Sequence, residues 1–163
     1  MTVTADSYDA KVSAAYVTML AACASWTGTA TQIGEDWGGQ DKLNAAGTAL
    51  NLALTWALVR LGPTEDQTVA AWTTIRRGTA DIIIAVRSDA ADKPADAVRR
   101  ARNLGGKLCD EMRAQLGGAG KLLYATFSLG EVFITPPGAS GNSDSTLPRE
   151  LEVTITSRWS EIP

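Results

Sequence analysis

The run GGAGKL, from Gly117 to Leu122, is the stretch of this sequence that most invites a phosphate. A phosphate loop reads G-x-x-x-x-G-K-[ST], because its backbone amides cradle the phosphates and its hydroxyl holds Mg²⁺. Here Gln115 stands where the first glycine belongs, and Leu122 stands where the hydroxyl belongs. The surroundings are reversed as well, since a helical pattern precedes the run and a strand pattern follows it. The phosphate-loop reading fails on both counts.

Three acids, Glu35, Asp36 and Asp41, fall in one glycine-rich stretch. A Ca²⁺ loop needs oxygen ligands at a fixed alternate spacing, which these acids lack. They read as solvated loop acids. Arg99, Arg100, Arg102 and Lys107 form a basic helical segment with Arg76 and Arg77 upstream. Such a face can meet phosphates or an acidic neighbouring subunit. Against that, Asp96, Asp110 and Glu111 lie in the same segment, and residues 54–116 hold ten Lys/Arg against eight Asp/Glu. A solvated, internally balanced face is the favoured reading of the run.

Histidine is absent. This removes the commonest general base and metal ligand, and with them any Ser-His or Cys-His nucleophile pair. The two cysteines, Cys23 and Cys109, sit far apart in apolar helical patterns and read as buried, reduced thiols. No catalytic, cofactor-binding or metal site is expected, and no cofactor. A net charge of -3 argues against a free nucleic-acid binder, which needs a basic surface. It leaves room for a protein that surrounds DNA without gripping it. No apolar run reaches the length of a membrane span. YVTMLAACASW, behind the acidic ADSYD, lacks the positive start of a secretion signal, so a cytoplasmic origin is expected.

The elements that must position these residues follow from periodicity. Tyr8, Val12, Ala15, Met19, Ala22 and Trp26 form one helical stripe and predict a helix over 8–26, capped by Asp6 or Ser7. The stretch from Thr27 to Gly47 has no sustained period and reads as a long loop with one helical turn at most. Within it, Trp37 is either a partner anchor or an indole folded back on its own core. LNLALTWALVRLG predicts a strand in its second half, ended by Gly62-Pro63, and QTVAAWTTIRRG carries a further short strand. TADIIIAVRSD is the clearest strand, covered on both faces at its three isoleucines.

The main helix then runs from a cap at Asp92, with Pro94 in its first turn, to the stop at Gly117-Gly118. Its buried stripe is Val98, Ala101, Gly105, Leu108, Met112 and Leu116. Arg99, Arg100 and Asn103 lie on its polar face. Glycines in mid-helix disfavour it by about 1 kcal/mol each relative to alanine, which implies that Gly105-Gly106 permits a close approach. KLLYATFSLGEVFITPP predicts a strand bent at Gly130. A mobile loop over about 136–147 includes Gly141 and Asn142. ELEVTITSRW closes the pattern, with Leu151, Val153, Ile155, Ser157 and Trp159 on one side and Glu150, Glu152, Thr154, Thr156 and Arg158 on the other. These 163 residues suit one α+β domain, a mostly antiparallel sheet with one or two helices packed on it.

The order of these elements resembles the tail terminator, or tail completion, neck proteins of long-tailed bacteriophages. The likeness covers mainly residues 50–160. It rests on TADIIIAVRSD, the polar helix ADAVRRARNLGGKLCDEMRAQL and the closing RELEVTITSRW, and on no signature motif. The Thr27–Gly47 stretch is longer than that pattern. The resemblance implies a structural virion protein without catalytic residues. It would form a homohexameric ring that caps the tail tube protein, stops its polymerisation and joins it to the head-side connector. DNA would pass through the lumen without sequence recognition, and an acidic lumen would let it slide. Another neck component, such as a head-completion or connector protein, fits the same pattern. From a different class, a small enzyme or ligand-binding domain would need Asp81, Arg87 or Arg102 converging in a pocket. The residues expected at protein contacts are Trp37, Arg99, Arg100, Asn103, Gly141, Asn142, Glu152 and Arg158.

Overall fold

A computed structural model describes residues 8–37, 55–87, 93–134 and 150–162. It is an α+β fold. Helix α1 (Tyr8–Ala21) leads through one 3-10 turn (Ala30–Gln32) to β1 (Ile33–Asp36). Strands β2 (Thr55–Ala70) and β3 (Thr73–Arg87) form a long hairpin, α2 (Pro94–Ala114) follows, and β4 (Tyr124–Ile134) and β5 (Glu150–Glu161) complete the sheet. The strand order is β1-β2-β3-β5-β4, with β1 parallel to β2 and every other pair antiparallel.

Strand β5 is therefore not an edge. It lies between β3 and β4, and its alternation is that of a strand buried on one face. Leu151, Val153, Ile155, Ser157 and Trp159 are all buried. Both helices pack on that face, α1 over β1 and β2, α2 over β4 and β5. Tyr16, Met19 and Leu20 of α1 and Leu108 and Met112 of α2 meet Val59, Ile82, Ile84, Val153 and Ile155 in one core. Fully burying each such aliphatic side chain contributes about 1.5–3 kcal/mol.

Gly105 explains how α2 comes so close. A Cβ there would lie 2.5 Å from Leu129 Cδ1 and 3.4 Å from Val153, whereas one at Gly106 would meet nothing within 4 Å. Only the first glycine is demanded by packing. The helix stops as expected, with Gly117 at φ 79°, a left-handed conformation that costs glycine little.

Several expectations need correction. The predicted α1 stripe overruns. Val12, Ala15, Met19 and Trp26 are buried, but the helix ends at Ala21 and Ala22 is exposed, with Tyr16, Leu20 and Cys23 taking the inner positions. Glu111 of α2 draws the chain off its helical path, accepting from the Ser25 amide at 2.9 Å and from its hydroxyl at 2.5 Å. The Thr27–Gly47 stretch holds a strand, β1, besides its helical turn. β2 does not stop at Gly62-Pro63. The ladder shifts register between Leu61 and Thr64 and runs on to Ala70, so the predicted short strand is the tip of one hairpin. The caps at Asp6, Ser7 and Asp92 and the loop over 136–147 lie outside the described residues.

Candidate interaction surfaces

The sheet face turned away from the helices is built from cross-strand rows. At one end it is apolar. Trp56, Leu58 and Ala85 are buried there, with Ile83 packed against them. The next row is polar across all five strands, Asp36, Arg60, Asp81, Thr156 and Ser128 in register. Arg60 Nε donates to Asp36 Oδ2 at 2.7 Å, and Thr156 donates to Asp81 at 3.2 Å. Farther along, Thr79, Arg158 and Thr126 form a row, and Glu65, Arg77, Ser160 and Tyr124 another. These last rows border an open hollow of about 700 Å³.

The β2–β3 hairpin outgrows the sheet. The first residue of β3 to pair with β5 is Arg76, so among the described residues β2 and β3 pair only with each other from Ile75 outward. The free part spans four residues of β2, about 13 Å at the strand rise. Arg76 braces its base with a two-pronged contact to Asp66 at 2.6 and 2.9 Å, which holds the Asp66 carboxyl below its ordinary range. At the turn stands Trp72, 98% exposed, with Val69 exposed beside it. Exposed Trp of this degree is unusual, because the indole is among the largest apolar surfaces a side chain can bury.

At the opposite end of β3 lies a notch of about 260 Å³. Ala97, Ala101 and Leu104 of α2, with Leu151 and Val86 of the sheet, make it apolar; Thr27, Arg87 and Arg100 stand at its margin.

The residues expected at contacts do not form one site. Arg99, Arg100 and Asn103 are exposed on α2, with Arg99 3.5 Å from Asp96. Glu152, half-buried, and Arg158, exposed, lie across the sheet from them, separated along β5 by about 20 Å. Trp37 neither folds into the core nor stands bare. It is 43% exposed at the end of β1, and its indole N–H donates to Glu35 at 3.1 Å. Gly141 and Asn142 lie outside the described residues. Sequence reasoning missed Trp72. Its signal was present, a Trp between two strand-like runs, but the turn around it lacks the Asn-Gly or Asp-Gly that marks a tight hairpin.

Asp81, Arg87 and Arg102 do not converge. Asp81 lies in the central polar row, Arg87 at the notch, and Arg102 reaches toward the Gly130 carbonyl at 3.5 Å. The displaced titrations have structural causes. Burial raises the Tyr16 hydroxyl and both thiols, with Cys23 pushed up to about 12. Hydrogen bonds from Ser25 hold Glu111 below the usual carboxylate range. Among the described residues, no group of three or more Cys, Asp or Glu is placed to hold a metal ion, and no helix is long and apolar enough to cross a membrane. No protein-family model matches this sequence, and no curated protein matches it.

Proposed function

We propose that this chain is an assembly protein, a ring-forming component of a phage tail or neck that caps the tail tube and joins it to the head-side connector. The observation that carries the assembly reading is the free hairpin with Trp72 at its tip. A monomer gains nothing from an indole held in water, whereas a contact with another subunit turns the same indole into an anchor. The phage context rests on the resemblance of the sequence's element order to tail terminators. The ring is expected to be a hexamer assembled in the host cytoplasm, with the tube protein and connector as partners and DNA passing through its lumen. Electron microscopy of the purified protein, alone and with tail tubes, tests this. Rings, or protein added at tube ends, support it. A strictly monomeric species that adds to no tube at any concentration removes it.

One observation favours a second reading. Arg77 and Arg158, with the hydroxyls of Thr79, Thr126 and Tyr124, border the open hollow and outnumber the one carboxylate in its lining, Glu65. Two guanidiniums beside several hydroxyls suit an anionic ligand. A titration calorimetry series with inorganic phosphate and nucleotides separates the two readings, because the assembly reading expects no saturable heat.

A further inference from the structure

The geometry points to a head-to-tail contact between copies of this chain, in which Trp72 of one copy enters the notch at the Val86 end of the next. This rests on the assembly reading above and adds the two surfaces that meet. The tip and the notch match in size. A cavity of about 150 Å³ accepts benzene, and the notch of about 260 Å³ has room for the second ring of an indole. They match in chemistry. The floor of Ala97, Ala101, Leu104, Leu151 and Val86 is apolar, and Arg87 and Arg100 stand at the margin, where a guanidinium can face the indole ring.

They also cannot meet within one molecule. Trp72 stands in the turn just before β3 and Val86 lies near that strand's far end, fourteen residues on and roughly 46 Å away at the strand rise. Tip and notch are therefore different patches at opposite ends of the sheet. Unless two copies exchange their arms reciprocally about a two-fold axis, such a contact is heterologous, and its repetition gives a ring when the rotation closes and a filament when it does not. One Trp covers about 150–250 Å², less than a stable interface, so Trp72 is the anchor and the flanks of the arm, Val69 among them, supply the surrounding contact.

The test uses full-length protein and two complementary variants. Trp72→Ala keeps the notch and lacks the tip. Thr27→Trp alters an exposed residue at the notch margin and fills it, leaving the tip intact; Ala101→Leu fills it from the floor as a second route. Circular dichroism confirms that each is folded. Sedimentation velocity of wild type shows concentration-dependent assembly, and each variant alone weakens it at least about 30-fold, the change expected of an anchor residue. Mixing Trp72→Ala with a notch variant then restores one tip-in-notch contact per pair, so the mixture forms heterodimers and stops there. Folded variants that stay monomeric when mixed overturn the inference. So does Trp72→Ala assembling like wild type, while the ring reading survives. A Trp72→Ala ring that no longer joins tail tubes would assign the tip to the tube and also overturn it. A wild type that never self-associates overturns the inference, and the assembly reading falls with it only if the protein also adds to no tail tube.

Discussion

The Tyr16 hydroxyl of α1 lies 2.7 Å from Ser157 Oγ of β5, with both residues fully buried. The pair explains the one polar residue in the inner row of β5. A serine facing the core would otherwise carry an unsatisfied hydroxyl, and so would the tyrosine. Tyr16 also meets Phe127 edge to face at 6.5 Å, so its ring is fixed while its oxygen is satisfied.

Ser157→Ala should therefore lower stability by about 1–3 kcal/mol, since it strands the buried phenol. Tyr16→Phe should cost a similar amount, because it strands the buried serine hydroxyl in turn. The double variant should cost less than the sum of the two single ones. Urea unfolding of the four proteins checks this, and strict additivity would refute the coupling.

Legibility varied with how much of each element is local. The inner row of β5 and the buried stripe of α2 could be read because each repeats a period over many residues, and the packing obeys that period. The central position of β5 could not be read, because strand order is decided by tertiary pairing. β1 is four residues long, and of these Ile33 alone is a large apolar side chain. Too few positions repeat there for alternation to register. Gly62-Pro63 reads locally as an end. β1 pairs with β2 over Ala57–Arg60, and among the described residues no strand pairs with that side of β2 beyond Leu61, so a proline there breaks no described ladder. The contact surfaces were the least legible part. Trp72 is apolar by type, and only the three-dimensional arrangement shows that it has no core to join.

The two mid-helix glycines should respond with opposite signs. Gly106→Ala adds a methyl in open space and gains helix propensity, so it should stabilise by about 0.5–1 kcal/mol. At Gly105 the same propensity gain is offset because the new Cβ meets Leu129 and Val153. Gly105→Ala should be neutral or destabilising, and Gly105→Val clearly worse. Thermal melts of the three variants decide it; equal gains at both glycines would show that α2 does not need its close approach.

β1 is held to the sheet by a short parallel ladder and by Arg60. The Asp36 side chain is 5% exposed and receives the guanidinium at 2.7 Å. Arg60→Ala removes a charge-assisted bond from a desolvated carboxylate and should cost about 1–3 kcal/mol. The loss should be local. Hydrogen exchange is expected to accelerate first in Ile33–Asp36, with the β3–β5 amides little changed. Uniform acceleration across the sheet would mean that β1 is not a separable edge.

Stability should fall in alkali, through groups that stay neutral longer folded than unfolded. Cys23 has its thiol raised from an ordinary 9.0 to about 12, chiefly by burial and then by the Glu111 charge. Burial likewise raises Cys109 and the Tyr16 hydroxyl. Above pH 9 the unfolded chain releases protons that the folded chain keeps. The stabilisation from Cys23 is thus fully present below pH 9 and is lost as pH rises from there toward 12. One such group contributes a slope of at most about 1.4 kcal/mol per pH unit. Glu111 acts at the other end. Its lowered value means that its contribution is present above the ordinary glutamate range and lost on acidification. Urea midpoints at pH 7, 9 and 10.5 should decline across the last two, and Cys23→Ala should flatten that decline while lowering stability at pH 7 by its lost packing. Thiol-reactive dye should label neither cysteine in the native protein at pH 8 and both after unfolding. Rapid native labelling of Cys23 would place its thiol in solvent and remove the alkaline argument with it.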